Sequence, residues 1–476
     1  MAANPTDSDI QAEELAVDEI VASARCAQQK YAQAADQTLY DNAAAAAAWA
    51  LMEPARNQAI SELAVNTTGL GNVADKIVKN HRKTLGLLQD IKGVKTTGVI
   101  ADDPATGVTE FARPIGVVGA VVPSTNPAAT PVNNIINALK CGNAIVLSPS
   151  PKGVEVCQVV LGHIHAEFAK ISVDPNLVQM VPQPSSKIKT QRLMETADLI
   201  IVTGSQDNVR RAYSSGTPAI GVGAGNATVI IDETANLTEA AERITASKTF
   251  DNATSCSSEN VAIVVDAVAD DFAKALHAAG GRMLDNKNTA TFKAALFQGK
   301  HLNRDIIARD IDQLISSAGV EVSDSDTAKF VVLPGDGVGA DYPESGEKLS
   351  LALTLYRVAD FDAARELAAE VLAFQGAGHS VGLHSGDDSR AMLLAESLPT
   401  CRVIVNQAHC FATGGSFTNG LPFSLSMGCG SWGGNSIDNN LNYTHFMNTT
   451  RVVRPIESYE PELDTIFADY WKEAGH

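Results

Sequence analysis

The chain has 476 residues, a net charge of −19 and 45% hydrophobic residues, which is the composition of a globular protein with two or three domains. The negative charge argues against a nucleic-acid partner, because the phosphate backbone would repel this surface. No apolar run approaches the roughly 18 residues of a membrane span, so we expect no membrane partner.

Seven scattered cysteines without a CxxC pair favour a reducing compartment over a disulfide framework or a zinc site. The acidic start of the chain lacks the pattern of an export signal, so we expect a cytoplasmic protein. His163 and His165 are two residues apart on a helical pattern and cannot share a face, which argues against a metal site.

Residues 11–91 combine apolar side chains at helical spacing with an alanine tract, and they predict a helical layer that covers a sheet. Residues 96–112 hold two short strand patterns around Asp102–Gly107, which is typical of a β-hairpin. We expect this hairpin and a strand at Thr450–Val453 to pair subunits. The chain then ends in an acidic amphipathic tail.

From Pro114 onward, strand patterns alternate with helical patterns. This alternation predicts a parallel, doubly wound sheet whose ligands bind beyond the carboxyl ends of the strands. A second α/β pattern begins near Ala227. No low-complexity linker separates the two units, so we expect the site in a cleft between them.

Cys256 is the residue around which we interpret the function. It lies in the polar turn Lys248–Asn260, between a helical pattern and the apolar run Val261–Val265. Packing alone does not explain a cysteine in such a turn, although a small hydrophobic role is the competing interpretation. Its thiolate could add to an aldehyde, and the resulting thiohemiacetal could lose a hydride to a nicotinamide.

Four motifs in order resemble the aldehyde dehydrogenase superfamily, and more narrowly its CoA-acylating branch: Pro114–Pro127, Gly221–Asn226, Phe250–Cys256 and Gly428–Ser436. The second motif lacks GxGxxG spacing, which disfavours a dinucleotide fingerprint there. The resemblance implies an α/β aldehyde dehydrogenase fold, NAD or NADP as cofactor, and CoA as co-substrate.

The same resemblance implies a division of the chain. Residues 1–95 and 113–224 would form a Rossmann-like cofactor domain, 225–440 an α/β catalytic domain, 96–112 and 441–458 the oligomerisation strands, and 459–476 the acidic tail. We expect a homodimer or homotetramer.

Site residues follow from the matching motif positions. Cys256 matches the nucleophile, and Asn126 matches the asparagine that forms an oxyanion hole with the Cys256 backbone N–H. Without the motif, Asn126 would be interpreted as a turn residue. Glu347 occupies the place of the glutamate that grips the nicotinamide ribose. The other implied cofactor contacts are Ser124, Thr125, Ser148, Ser150, Lys152, Thr203, Gly204, Ser205 and Gly223.

Two departures from the hydrolytic members are informative. Val222 stands where those enzymes have the glutamate that activates water, and a valine cannot act as a base. We therefore expect CoA thiol to take the acyl group. Ser148 stands where they have a lysine on the adenosine ribose, which leaves the choice between NAD and NADP open. A hydrolytic enzyme and a non-catalytic shell or scaffold component are the competing classes.

The expected substrate is a small anionic aldehyde. Hydroxyls close to Cys256 would donate charge-assisted hydrogen bonds to an anionic head group: Thr254, Ser255, Ser257 and Ser258. The segment Asn406–Gly415 resembles that of acylating sulfoacetaldehyde dehydrogenases, which implies Asn406 as a substrate contact and His409 as a donor to a sulfonate. A solvated or capping histidine is the alternative. Sulfoacetaldehyde is the first choice, ahead of succinate semialdehyde and acetaldehyde.

Overall fold

The computed structural model describes residues 6–223, 225–299 and 301–475. The predicted helical layer is confirmed. It consists of α1 (Asp7–Ala34), α2 (Gln37–Met52), α3 (Pro54–Thr68) and α4 (Val73–Ile91). Side-chain oxygens cap these helices at their starts, as when Asn72 Oδ1 accepts from the backbone N–H of Asp75 at the start of α4. The face of α4 that turns inward carries buried lysines.

The first parallel sheet is doubly wound, as predicted, with strand order β5-β4-β3-β6-β7. Val121 of β3 lies opposite Val202 of β6, so the loops after these two strands meet at one edge of the sheet. Its elements are β3 (Val117–Val122), α5 (Ala129–Lys140), β4 (Ala144–Pro149), α6 (Val154–Lys170), β5 (Val178–Met180), α7 (Lys187–Thr196), β6 (Leu199–Val202), α8 (Gln206–Tyr213) and β7 (Ala219–Gly221).

A second parallel sheet has the order β10-β13-β14-β9-β8-β15-β16. Its central strands β8 and β9 are fully buried, which accounts for their continuous apolar runs. The strands of this sheet and the helices around it are β8 (Ala227–Ile231), α9 (Leu237–Thr249), β9 (Glu259–Val265), α10 (Asp266–Ala279), β10 (Gly281–Met283), α11 (Asn286–Leu296), α12 (Ile311–Ala318), β13 (Phe330–Pro334), β14 (Ala352–Val358), α13 (Phe361–Phe374), β15 (Val381–His384), α14 (Asp388–Ser397), β16 (Val403–Val405) and α15 (His409–Ala412). Between α11 and α12, β11 (Phe297–Gln298) and β12 (His301–Leu302) form a separate antiparallel pair.

A third, antiparallel sheet joins two distant parts of the chain. The predicted hairpin is β1 (Gly98–Asp103) with β2 (Val108–Pro114), and β17 (Met447–Val453) pairs with β2 along its length. The two segments expected to pair subunits thus belong to one sheet. The acidic tail ends in an exposed helix, α16 (Leu463–Ala474).

The fold is mixed α/β, as expected. None of the described helices is long and apolar enough to cross a membrane. The domain boundaries stay a prediction, and the boundary expected at residue 224 lies outside the described residues, as do residues 1–5 and 476.

Candidate active site

Cys256 lies in the loop between α9 and β9, in the polar turn that the sequence indicated. The backbone just before it is unusual, because Asp251, Asn252 and Ala253 have φ angles of 50°, 52° and 60°. Residues other than glycine adopt this left-handed conformation at a cost of roughly 1–2 kcal/mol each. Such a backbone persists only where tertiary contacts hold it.

Those contacts converge on Asp251, whose side chain is fully buried. One carboxylate oxygen accepts from the backbone N–H of Asn72 at 3.0 Å, and the other accepts from Lys76, Lys79 and the hydroxyl of Thr254. Burial alone would raise the pKa of Asp251, but the two ammonium groups hold it below its ordinary value. A buried cluster of three charges therefore fastens the loop to α4.

A histidine stands beside the thiol. Nε2 of His379 lies 3.3 Å from Sγ of Cys256, and Nδ1 of the same ring lies 2.7 Å from the hydroxyl oxygen of Ser380. The Ser380 hydroxyl is in turn 2.8 Å from Nε2 of His409. A continuous hydrogen-bonded chain thus runs from the thiol into the protein interior.

Burial determines the protonation states of the groups in this hydrogen-bonded chain. Burial lowers the pKa of His379 to about 3, helped by the positive charge of Arg402. Burial also lowers the pKa of His409 to about 3 and raises the pKa of Cys256 to about 12. At neutral pH the thiol keeps its proton and both rings are neutral, so Nε2 of His379 can accept the proton when the sulfur attacks.

His379 was not among the residues predicted from the sequence. The residue lies two positions before β15, outside the motifs that carried the resemblance. Gly376 and Gly378, with φ angles of 98° and 79°, let the chain turn sharply before it. A histidine between a glycine-rich turn and a buried strand is the signal that could have found it.

Asn126 is oriented by Lys79. Nζ of Lys79 donates to Oδ1 of Asn126 at 2.9 Å and to the hydroxyl of Thr254 at 3.0 Å. Because the amide oxygen is engaged, the amide NH2 group remains available to a substrate oxygen. Lys79 also ties Asn126, from the first sheet, to the loop that carries Cys256.

The hydroxyls near Cys256 are placed differently from one another. The hydroxyl of Thr254 donates to Asp251 at 2.7 Å and therefore stabilises the loop. Ser257 is buried and shares a 2.9 Å hydrogen bond with Ser255. Ser255 is half-buried and lines a small cavity with Asn126, Phe250 and three basic residues of α4, Lys79, Arg82 and Lys83. Only Ser255 among these predicted substrate hydroxyls reaches that cavity.

The segment that carries Val222 packs closely against Cys256. A Cβ atom at Gly225 would lie 2.2 Å from the backbone oxygen of Cys256, so only glycine fits there. Val222 itself is 8% exposed. Its side chain offers no group that could deprotonate water.

Comparison with known proteins gives the family. The sequence model of the aldehyde dehydrogenase family matches residues 6–308, more than half of the chain. The chain is 54% identical over 460 residues to an acylating sulfoacetaldehyde dehydrogenase of Cupriavidus necator, covering 97% of this chain and 93% of that protein. The chain belongs to the aldehyde dehydrogenase family. Within it, the chain falls in the CoA-acylating branch.

Solved structures of acylating aldehyde dehydrogenases share the fold. An acetylating enzyme from Geobacillus thermoglucosidasius superimposes with a TM-score of 0.90 at 32% identity, covering 95% of this chain and 99% of that one. A propionaldehyde dehydrogenase from Rhodopseudomonas palustris, solved with propionyl-CoA bound, gives a TM-score of 0.82 at 26% identity over 92% and 94% of the two chains.

The cofactor residues predicted from this family resemblance lie on loops at the carboxyl edge of the first sheet. Ser205 caps the start of α8, where its hydroxyl accepts from the N–H of Asn208 at 3.3 Å. The loops hold Ser124 and Thr125 after β3, Ser150 and Lys152 after β4, and Thr203, Gly204 and Ser205 after β6.

Two of the hydroxyls at this edge are already paired, because Ser148 bonds Thr190 at 2.9 Å and Thr203 bonds Ser426 at 2.7 Å. The hydroxyl of Ser150 is buried and has no partner among the described residues. An unpartnered buried hydroxyl suits a ligand that donates or accepts there.

Two further predicted cofactor residues lie towards the second sheet. Glu347 is half-buried, and burial raises the pKa of its carboxyl group to about 8. The backbone N–H of Gly223 donates to Oδ1 of Asn435 at 2.9 Å.

The structure does not bring Asn406 and His409 to the cavity beside Cys256. The amide of Asn406 donates to the backbone oxygen of Ser385 at 2.8 Å, and the residue lines a separate cavity with Arg243. His409 is 1% exposed and bonds Ser380 behind His379. Their predicted contact with the substrate stays a prediction, and the geometry favours a place for His409 in the hydrogen-bonded chain.

Proposed function

We propose that the chain is a CoA-acylating aldehyde dehydrogenase that oxidises a small anionic aldehyde with NAD or NADP. Sulfoacetaldehyde is the first candidate and succinate semialdehyde the second. The observation that carries the chemistry is the 3.3 Å contact between Sγ of Cys256 and Nε2 of His379. The 54% identity to an acylating sulfoacetaldehyde dehydrogenase supports the first substrate.

The residues divide the work as follows. His379 accepts the thiol proton while Sγ of Cys256 bonds to the aldehyde carbon. The carbonyl oxygen gains the negative charge and accepts from the amide of Asn126 and the backbone N–H of Cys256. When the thiohemiacetal loses its hydride, a thioester remains on Cys256. The sulfur of CoA then bonds to the acyl carbon as the bond from Cys256 to that carbon breaks, the proton of the CoA thiol passes to the released sulfur of Cys256, and the acyl-CoA leaves.

The fate of the thioester depends on Val222. The glutamate that activates water in hydrolytic members is replaced here by Val222, which cannot act as a base, and His379 has already taken up the proton of the thiol. The thioester therefore persists until a thiol arrives. The same steps run backwards from an acyl-CoA, so the direction depends on the concentrations of the reactants.

The edge of the first sheet suits a dinucleotide. The start of α8 at Ser205 presents backbone N–H groups to a pyrophosphate, and the unpartnered hydroxyl of Ser150 suits a ribose or phosphate oxygen. Glu347 would hold the nicotinamide ribose. When bound, the nicotinamide supplies the acceptor for the hydride. We assign residues 6–95 and 113–223 to this cofactor unit and 225–440 to the catalytic unit.

We also propose that the antiparallel sheet pairs subunits in a homodimer or homotetramer. β17 is an edge strand of that sheet, and its last four residues are exposed. Light scattering after size-exclusion chromatography tests the proposal, because deletion of residues 447–475 should then give monomers.

A spectrophotometric panel tests the reaction. The aldehydes are sulfoacetaldehyde, succinate semialdehyde, acetaldehyde and propionaldehyde, each with and without CoA and with NAD or NADP. We expect CoA-dependent reduction of the cofactor, fastest with sulfoacetaldehyde. Full-rate formation of free acid without CoA, or turnover by Cys256→Ser, would overturn the proposal. Absence of turnover with every aldehyde would favour the scaffold interpretation.

A further inference from the structure

The cavity lined by Ser255, the residue before Cys256, has a positively charged wall. Helix α4 contributes Lys79, Arg82 and Lys83, which follow one another at helical spacing and therefore share one face. Asn126 and Ser255 line the same cavity. The wall thus stands directly beside the groups that we propose to hold the carbonyl.

The charges on this wall are not all neutralised. Lys79 is paired with Asp251, whose carboxylate also binds Lys76. Arg82 and Lys83 have no ion pair anywhere in the described parts of the chain. Arg82 therefore places an unpaired positive charge next to the cavity, and Lys83 adds a second one in its protonated form, in a chain with a net charge of −19.

Arg82 is held in place while part of its guanidinium stays unused. Its Nη2 donates to the backbone oxygen of Phe411 at 2.8 Å and to the hydroxyl of Ser416 at 3.1 Å. The group also stacks over the ring of Phe411 at 5.1 Å and that of Phe423 at 5.8 Å. Within the described residues, Nε and Nη1 have no hydrogen-bond partner, so donors remain for an anion.

Lys83 is buried, and its ammonium donates to the backbone oxygen of Gly414. Burial, together with the neighbouring charge of Arg82, lowers its pKa to about 7. Asp90, further along α4, uses its carboxylate to accept from the N–H of Phe423 at 2.6 Å. A buried ammonium without a carboxylate partner is costly, and an anion that enters the cavity would offset that cost.

We infer that Arg82 and Lys83 bind the anionic head group of the aldehyde and set the preference of the enzyme for charged over neutral aldehydes. This inference rests on the proposed oxidation of an aldehyde at Cys256. A guanidinium can donate two parallel hydrogen bonds to a sulfonate or carboxylate, while an ammonium adds a point charge. In a two-carbon aldehyde the carbonyl and the head group are on adjacent carbons, so one small cavity must hold both.

Substitutions that remove charge but keep length test this assignment. We choose Arg82→Met and Lys83→Met, with Arg82→Lys as the conservative variant. Lys92→Met is the matched control, because Lys92 is an exposed residue at the end of α4 that does not line the cavity. The measured quantities are kcat and KM for sulfoacetaldehyde and for propionaldehyde, together with the melting temperature of each variant.

We expect Arg82→Met and Lys83→Met to lower kcat/KM for sulfoacetaldehyde by about 10- to 100-fold, mainly through KM, with propionaldehyde affected less than about threefold. Arg82→Lys should fall between the wild type and Arg82→Met. Ethanesulfonate, which cannot react, should slow the alkylation of Cys256 by iodoacetamide in the wild type but not in Arg82→Met. This measurement does not require catalytic turnover.

Failure of the assignment of Arg82 and Lys83 can be distinguished from failure of the proposed function. If the wild type oxidises sulfoacetaldehyde but the variants lose activity equally with both aldehydes, or lose none, the assignment of Arg82 and Lys83 is wrong and the proposed function stands. If the wild type oxidises propionaldehyde but not sulfoacetaldehyde, the proposed substrate is wrong. Equal protection of wild type and Arg82→Met by ethanesulfonate would also overturn the assignment.

Discussion

Nε2 of His379 lies 3.3 Å from Sγ of Cys256, although 123 residues separate the two in the chain. The ring is neutral at physiological pH, because burial lowers its pKa to about 3. It therefore has a lone pair for the thiol proton and no positive charge with which to stabilise a resting thiolate. The proton moves when the substrate is attacked, and the base has to be present at that moment.

His379→Gln should therefore lower kcat by about 10²- to 10⁴-fold, the range of a general base, with little change in KM. Glutamine keeps a polar side chain in the buried position but cannot take up a proton. His301→Gln, at an exposed position on β12, is the control and should be unchanged. Stopped-flow measurement of the first turnover isolates the step, and a kcat within twofold of wild type would contradict the role.

Cys256 and His379 also mark the limit of prediction from the sequence. The polar turn around Cys256 was evident from local patterns, since a helical period ends at one side and an apolar strand begins at the other. The partner across the site comes from the turn before β15, and no local pattern joins the two segments. The strand order that brings β15 beside β8 is a property of the whole sheet.

The burial of three lysines on α4 could not be predicted from the sequence for a related reason. In the sequence, Lys76, Lys79 and Lys83 belong to an amphipathic helix and would be expected on its solvated face. They are buried because Asp251 comes from a distant loop to pair with two of them, and because the backbone oxygen of Gly414 accepts from the third. Prediction of the fold class did not need these contacts, but prediction of the site did.

The place of Val222 leads to a gain-of-function prediction. Val222→Glu adds a carboxylate three residues before Gly225, whose backbone packs against Cys256. We expect measurable release of free acid without CoA and a shorter-lived acyl-enzyme, because the carboxylate can now activate water. Chromatographic measurement of the acid product is the direct test.

Val222→Gln is the matched control, because it has the same size without a basic oxygen. It should release no acid above the wild-type background. Equal acid release by the glutamine and glutamate variants would show that space for water, and not a base, limits hydrolysis.

Asn126 offers a prediction about transition-state binding. Asn126→Ala removes the amide that Lys79 holds in place. It should lower kcat by about 10²- to 10³-fold and change KM little, because the amide stabilises a negative charge that develops only during the reaction. Lys79→Met should lower kcat as well, since the amide is then free to turn. It should also lower the melting temperature, because Asp251 loses one of its two ammonium partners.

The raised pKa of the thiol predicts an unusual pH profile for alkylation. Burial raises the pKa of Cys256 to about 12, so the thiolate fraction of the resting enzyme should grow by about tenfold per pH unit through the whole range from pH 7 to 10. The labelling rate of free N-acetylcysteine should bend near the ordinary thiol pKa of about 8.5 and level off about one pH unit above it. The test measures iodoacetamide labelling of Cys256 by mass spectrometry at each pH, with Cys256→Ser as the blank. A plateau between pH 7 and 8 would mean that the resting enzyme already stabilises the thiolate, and His379 would then act later than the attack of the sulfur on the aldehyde.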